Sequence, residues 1–264
     1  MPTPAWPAYW NPKNETLSRV DLKSLQLIKL QRTVARAYAT SAFHRRLYDQ
    51  AKVRPQDIKS LDDIRRLPFM TREDWMACQA EKPLFGDMIT RPPEDAIRYH
   101  LTSGTSGRQP LRVLDSRKDW SWIGEMWCYG FWGFGVRPAD TVFFAFSYGS
   151  FIGFWGAHYG CEKIGCLVLP SGNMTTDNRV KQLVEMGATT VCATPTYALR
   201  MAHLCEGEPE GRTGVHEFGV WKTPPGNDPL RRAPGFLPTI AFQDDTLVRS
   251  RDAVEAAIAA AASE

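Results

Sequence analysis

Residues 142–146 read Val-Phe-Phe-Ala-Phe, a continuous apolar run of strand length with an aromatic bias. Such a run is typical of a parallel strand that is buried on both faces. Towards the C-terminus, helical and strand patterns alternate, and they predict elements at residues 151–164, 166–169, 177–186, 189–193 and 197–205. Three strand–helix units in series indicate the α/β class, with at least part of a doubly wound sheet.

The segment before residue 96 is predicted to be mostly helical. A hydroxyl residue followed three positions later by aspartate marks a helix start at Ser18, Ser60 and Thr71. A further short helix is expected over 42–52. We therefore predict a helical N-terminal segment, 1–95, that forms one structural domain with an α/β region, 96–206.

Residues 207–264 form the third predicted region, a poorly specified tail. Six prolines and six glycines fall within 207–240, and neither a helical nor a strand period is sustained there. Its Pro/Gly/Arg-rich composition resembles a GC-rich gene read out of frame. We hypothesise that the chain is the N-terminal part of a longer protein, continued in a foreign or shifted reading frame.

A predicted β-hairpin precedes the apolar run, with strands at 97–101 and 111–114. Between them the chain reads Thr-Ser-Gly-Thr-Ser-Gly at 102–107. Glycines allow close backbone approach to a ligand, and hydroxyl groups add hydrogen-bond donors, so the segment suits a polyphosphate. The Walker-A spacing is absent, which excludes an ordinary P-loop nucleoside triphosphatase. A tight hydroxyl-rich hairpin without a ligand remains the alternative.

Composition excludes several classes of protein. The chain has 264 residues and a net charge of +3, from 32 basic and 29 acidic side chains, which is too slight for a nucleic-acid or membrane-surface binder. Six cysteines form no C-x-x-C pair, so we assign no metal-ligating residues. The first residues lack a signal-peptide pattern, and the apolar stretch at 142–157 is too short to span a bilayer. We therefore expect a soluble, cytoplasmic protein.

Four segments together resemble the phenylacetate–CoA ligase branch of the adenylate-forming enzymes. They are YHLTSGTSGR at 99–108, LPFMTRED at 67–74, the segment 149–160 ending in HYG, and CATPTYAL at 192–199. The resemblance runs in order from about residue 10 to residue 206. It implies that 1–206 is part of the N-terminal domain of an adenylate-forming enzyme. The later motifs of that family are not recognisable in 207–264.

The resemblance also implies a reaction. A carboxylate attacks ATP to give an acyl-adenylate, and coenzyme A then displaces AMP to form a thioester, with Mg²⁺ supporting the first step. An aromatic, phenylacetate-like acid is the implied substrate. The phosphate-binding residues carried over are Ser103, Gly104, Thr105, Ser106 and Gly107. No catalytic side chain is assigned, because the carboxylate is itself the nucleophile.

Three aromatic residues are the predicted substrate wall: Phe146, Tyr148 and Phe151 flank the end of a buried strand, where α/β sheets place ligands. Ordinary core packing is the alternative for all three. His158 is interpreted as a core or pocket-lining residue, with a general base as the alternative. For the whole chain, the alternative to a ligase is a non-catalytic remnant that keeps the phosphate loop and pocket. The exposed edge of a partial sheet makes a homodimer one expected assembly.

Overall fold

A computed structural model describes residues 6–102, 110–206, 219–222 and 239–240. The chain divides into two compact units. The helical unit comprises Asn11–Trp122 and Ser150–Ile152, and the sheet unit comprises Met1–Trp10, Ile123–Gly149 and Gly153–Glu264.

The helical unit begins with α1 (Pro12–Glu15), α2 (Arg19–Thr40), α3 (Ala42–Gln50) and α4 (Arg72–Glu81). The predicted caps are confirmed: the side chain of Ser18 accepts from the backbone of Asp21, and that of Thr71 accepts from the backbone of Asp74. Ser60 opens a six-residue 3-10 helix, Leu61–Arg66. This helix stays short because Pro68 disfavours helical geometry at the residue before it.

A charged contact closes the loop that follows α4. The Asp87 carboxylate accepts hydrogen bonds from Arg46 at 2.7 Å and from Lys82 at 2.8 Å. The bond from Arg46 holds the pKa of Asp87 well below its usual value. The carboxylate is mostly buried, with 12% of the side chain exposed, so this pair is less screened by solvent than an open surface bridge.

The predicted hairpin is present at the C-terminal end of the same unit. Strands β1 (Ala96–Leu101) and β2 (Arg112–Ser116) pair antiparallel. β2 leads into α5 (Arg117–Gly133), whose residues are divided between the two units.

The sheet unit confirms the α/β class. Its elements alternate as β3 (Thr141–Phe144), α6 (Ile152–Ile164), β4 (Leu167–Pro170), α7 (Thr176–Glu185), β5 (Thr190–Ala193) and α8 (Pro195–Glu206). β3 lies between β4 and β5 and pairs parallel with both. Phe143 and Phe144 are fully buried in separate core clusters. A strand buried on both faces explains the unbroken apolar run in the sequence.

Two short strands extend the sheet where the sequence predicted none. β6 (Gly219–Lys222) pairs antiparallel with β5, and β7 (Thr239–Ile240) with β6. Segments of four and two residues are too short to carry a recognisable period of two. β6 uses the backbone groups that β5 would otherwise leave unpaired at its edge, and β7 pairs in turn with β6. The rest of the 207–264 region lies outside the described residues.

Helix α6 packs closely on α5 through glycine. A Cβ atom at Gly156 would lie 2.4 Å from Nε1 of Trp127, and one at Gly160 would lie 2.6 Å from Cβ of Trp127. By contrast, a Cβ atom at Gly130 in α5 would meet nothing within 4 Å. Glycine is therefore sterically required on the face of α6 that meets Trp127.

Candidate functional site

The five predicted phosphate-binding residues, Ser103 to Gly107, lie outside the described residues, but the two ends of their loop are described. The backbone N–H of Thr102 donates to the carbonyl of Leu111 at 3.1 Å. The backbone N–H of Leu111 donates to Oγ1 of Thr102 at 2.9 Å. The hairpin is therefore closed on both sides of the loop, which fixes the positions where it begins and ends.

A basic side chain lies beside the start of this loop. Nη1 of Arg72 is 3.5 Å from Oγ1 of Thr102, at the limit of a hydrogen bond. Arg72 belongs to the LPFMTRED segment, but sequence reasoning gave it no role. Its position on the first turn of α4, directly after the Thr71 cap, is the signal that was available.

A buried ionisable pair joins the two strands of the same hairpin. His100 is 2% exposed, and its Nδ1 contacts the carboxylate of Asp115 on the neighbouring strand. The imidazole also stacks on Trp120 with ring centroids 5.2 Å apart. The cross-strand register places Val113 opposite His100, so Asp115 is its diagonal neighbour. This contact links β1 directly to β2.

The carboxyl ends of the three parallel strands meet at one edge of the sheet unit. Ser147, after β3, donates from Oγ to the carbonyl of Gly172, after β4, at 2.6 Å. Ser171 donates from Oγ to the carbonyl of Phe144 at 2.7 Å. Open α/β sheets bind ligands at this edge. The hydrogen bonds of Ser147 and Ser171 hold the segments that follow β3 and β4 against each other.

A buried arginine, Arg179 on α7, supports this edge. It is 7% exposed, and its guanidinium donates to the carbonyl of Ser171 at 3.0 Å and to that of Gly172 at 3.1 Å. The guanidinium also lies over the ring of Tyr197, 5.1 Å from the centroid. Sequence reasoning missed Arg179; the available signal was its place on the apolar face of α7, one turn before Leu183.

An aromatic cluster covers the same edge. Phe146 is buried and stacks on Phe154 with centroids 3.8 Å apart. Tyr148 is half-buried, 5.6 Å from the Phe146 ring and 4.6 Å from the Trp155 ring. The structure thus brings together two of the three predicted wall residues. The third, Phe151, is 40% exposed and belongs to the helical unit.

Tyr148 is held by a polar chain that the sequence did not predict. Its hydroxyl is hydrogen-bonded to Nδ1 of His158 at 2.9 Å, and Nε2 of His158 is 3.1 Å from Oε1 of Glu162. Burial raises the pKa of Tyr148, which keeps the phenol neutral. His158 therefore lines the aromatic cluster and also links it to a surface carboxylate.

Four cysteines of this unit serve as small apolar groups. Cys128, Cys161, Cys166 and Cys192 are buried. Burial raises the pKa of Cys128 to about 12 and raises that of Cys192 well above its usual value. Thiols with such pKa values are poor nucleophiles at neutral pH.

The described residues contain neither a metal-binding cluster nor a membrane-spanning helix. No group of three or more histidine, cysteine, aspartate or glutamate side chains in these ranges could hold a metal ion. None of the helices described in the structure combines the length and the apolar character needed to cross a membrane.

Comparison with known proteins gives a consistent set of relatives. No protein-family model matches the chain. It is 31% identical over 221 residues to the phenylacetate-coenzyme A ligase of Aromatoleum evansii, covering 83% of this chain and 49% of that protein. The enzyme of the same name from Thermus thermophilus is 33% identical over 193 residues, or 73% of this chain and 42% of that protein. The chain thus spans about half the length of the curated relatives that it matches, and the match is to their N-terminal part.

The solved structures agree with the sequence relatives. A crystal structure of 2-hydroxyisobutyryl-CoA ligase in an open conformation, in complex with 2-HIB-AMP and CoA, matches with a TM-score of 0.72 and 30% identity. The match covers 78% of this chain and 44% of that chain. The same ligase in its thioesterification state has a TM-score of 0.72 and 32% identity over the same shares. The α/β region described above is therefore a fragment of an adenylate-forming ligase fold.

Proposed function

Because this chain belongs to the phenylacetate–coenzyme A ligase family and matches the N-terminal part of its members, we propose that it activates a carboxylic acid with ATP for transfer to coenzyme A. The observation that carries this proposal is the alignment, at about 30% identity over 78–83% of the chain, with CoA ligases of known sequence and structure. The aromatic cluster at the strand ends supports an aromatic, phenylacetate-like acid as the substrate.

The proposed chemistry has two steps. A carboxylate oxygen bonds to the α-phosphorus of ATP while the bond to pyrophosphate breaks, which gives an acyl-adenylate. The thiol of coenzyme A then bonds to the carbonyl carbon, loses its proton, and displaces AMP. No side-chain nucleophile is needed, so the task of the protein is alignment and stabilisation of charge.

The phosphate loop would carry the charge-stabilising part of this task. Backbone N–H groups and hydroxyl groups of Ser103, Gly104, Thr105, Ser106 and Gly107 fit the triphosphate in their donor chemistry. Mg²⁺, when bound, would neutralise charge on the phosphate oxygens. The closed Thr102–Leu111 pair supports this assignment, because it holds both ends of the loop in one register.

The aromatic cluster would carry the alignment part. Tyr148 would offer apolar ring surface at the edge where α/β sheets bind ligands, with the buried ring of Phe146 packed beside it, and Phe151 is the third proposed wall residue. An aromatic ring would be held between flat surfaces, and water would be kept from the reacting carboxylate.

Acid-dependent exchange of pyrophosphate into ATP tests the proposal. We expect exchange with phenylacetate or benzoate and weaker exchange with 2-hydroxyisobutyrate. Gly104→Val should abolish exchange, because a branched side chain prevents close backbone approach to the phosphates. Ser106→Thr is the matched control, since it keeps the hydroxyl group, and it should retain exchange. Equal rates of exchange in wild type and Gly104→Val would refute the proposal that this loop binds the phosphates of ATP.

A ligand-binding protein without turnover is the second candidate. Such a protein would keep the phosphate loop and the aromatic cluster as binding surfaces. ATP and aromatic acids would then bind, as measured by calorimetry, while pyrophosphate exchange and thioester formation would both be absent.

Three further properties are proposed. Residues 1–95 and 96–206 should unfold as one cooperative domain, as measured by thermal denaturation. A homodimer would appear in sedimentation velocity as a concentration-dependent species. Cell fractionation would place the protein in the cytoplasm.

A further inference from the structure

Three side chains form a continuous polar chain from the surface of α6 into the aromatic cluster. Glu162 is half-exposed on α6, His158 lies one turn earlier with 13% of its side chain exposed, and Tyr148 follows β3. The two links are 3.1 Å, between Oε1 of Glu162 and Nε2 of His158, and 2.9 Å, between Nδ1 of His158 and the Tyr148 hydroxyl. Both lengths are those of ordinary hydrogen bonds.

The outer link determines which nitrogen of the neutral imidazole carries the proton. An ionised carboxylate can only accept, so Nε2 of His158 must donate to Glu162. A neutral imidazole has one N–H, so Nδ1 is left as an acceptor. The Tyr148 hydroxyl must therefore donate to Nδ1. The direction of both hydrogen bonds follows from the half-exposed carboxylate at the end of the chain.

The aromatic surroundings of His158 distinguish this polar chain from an exposed histidine–glutamate pair on a helix surface. The imidazole lies among the rings of Phe144, Tyr148, Trp155 and Tyr159, with centroid distances between 5.5 and 6.0 Å. An apolar side chain would fill this space without the cost of burying a polar ring. The imidazole instead connects to the hydroxyl of a residue in the proposed acid-binding wall.

We propose that Glu162 and His158 are positioning residues that fix the hydroxyl proton of Tyr148 away from the acid. Tyr148 then presents an oxygen lone pair, and not an O–H, to a bound ligand. This inference rests on the proposed function and deepens it. It identifies the favoured substrates as carboxylic acids that carry a hydroxyl donor able to reach Tyr148, over analogues in which that hydroxyl is replaced by a group that cannot donate.

The first test follows the imidazole directly. ¹⁵N NMR of histidine-labelled protein at pH 8 reports the tautomer, and His158→Asn identifies the signal among the five histidines of the chain. We expect the Nε2–H form in wild type and a larger share of the Nδ1–H form in Glu162→Ala. Glu185→Ala, which removes an exposed glutamate from α7, is the matched control and should leave the signal unchanged. A dominant Nδ1–H form in wild type would overturn the proposal.

The second test measures selectivity by direct binding, with isothermal titration calorimetry. We expect wild type to bind 4-hydroxyphenylacetate about three- to tenfold more tightly than 4-fluorophenylacetate, the effect of one neutral hydrogen bond. The ratio should fall towards one in His158→Leu and in Glu162→Ala, and His158→Asn should restore it, because its amide oxygen can replace Nδ1 as the acceptor. An unchanged ratio in both His158→Leu and Glu162→Ala would refute the selectivity.

The two tests separate this inference from the proposed function. If wild type shows the Nε2–H tautomer but binds neither acid, the proposed function fails, and with it the selection of substrates. If both acids bind and support pyrophosphate exchange while the tautomer is Nδ1–H, only the positioning by Glu162 and His158 fails.

Discussion

Replacing Arg179 by methionine should destabilise the fold by about 2 to 4 kcal/mol. Methionine keeps most of the buried volume but removes two donors from the carbonyls of Ser171 and Gly172. A hydrogen bond to a charged group contributes about 1.5 to 3 kcal/mol, and the contact with the Tyr197 ring adds about 0.5 to 2 kcal/mol. The net loss is smaller than the sum, because the Gly172 carbonyl also accepts from Ser147.

Urea denaturation followed by circular dichroism measures this loss as a change in the free energy of unfolding at an unchanged slope. Lys181→Met is the matched control on the same helix. Lys181 is exposed and lies 3.8 Å from Glu185, so the control should cost less than about 0.5 kcal/mol. Arg179→Lys should fall between the two, since an ammonium can replace one of the donors. If Arg179→Met unfolds at the same urea concentration as Lys181→Met, the argument that Arg179 supports the strand-end loop is wrong.

Three other changes give independent checks. Gly156→Ala should lower the free energy of unfolding by about 1 to 3 kcal/mol because its methyl group overlaps Trp127. Gly130→Ala should instead stabilise α5 by about 0.5 to 1 kcal/mol. Thermal unfolding measures both changes, and an equal loss of stability in the two variants would contradict the packing of α6 on α5. Since the folded-state pKa of Asp87 is lowered, its stabilising effect should be complete at neutral pH and should decline as pH falls below about 4; a stability difference between wild type and Asp87→Asn that is independent of pH would refute this. Cys128, with its pKa near 12, should resist iodoacetamide at pH 8 until denaturant is added, as peptide mass spectrometry would show; rapid labelling of native protein would disprove its burial.

Local signals predicted the helical unit well. The caps at Ser18 and Thr71 act within one turn of the chain. Each cap bonds to a residue only three positions later, so the sequence shows both partners together. The β1–β2 hairpin was predicted for a similar reason, because its strands are separated only by a short loop. The 3-10 geometry after Ser60 and the strands β6 and β7 were not predictable, since the competing signals there are short and weak.

For the candidate site, the sequence predicted the residues of the loop and the wall but not the residues that support them. Its phosphate loop was identified from sequence alone, as glycine and hydroxyl residues are contiguous at 102–107, and its binding role stays a prediction. Phe146 and Tyr148 were proposed because they directly follow the apolar run that forms β3. The supporting residues were missed: Arg179 is on another helix, and His158 gives no local sign of its partner ten residues away.

The sequence by itself determined the α/β class, the order of the elements and the relation to adenylate-forming ligases, since apolar periods, caps and contiguous motifs are local properties of the chain. Only the tertiary structure decided that β3 lies between β4 and β5, and that the loops after β3 and β4 are tied together through Ser147 and Ser171. The hydrogen bonds that join Tyr148, His158 and Glu162 likewise depend on the tertiary structure. A buried polar group must find a partner wherever the packed elements place one, and that choice depends on distances between segments that no local pattern encodes.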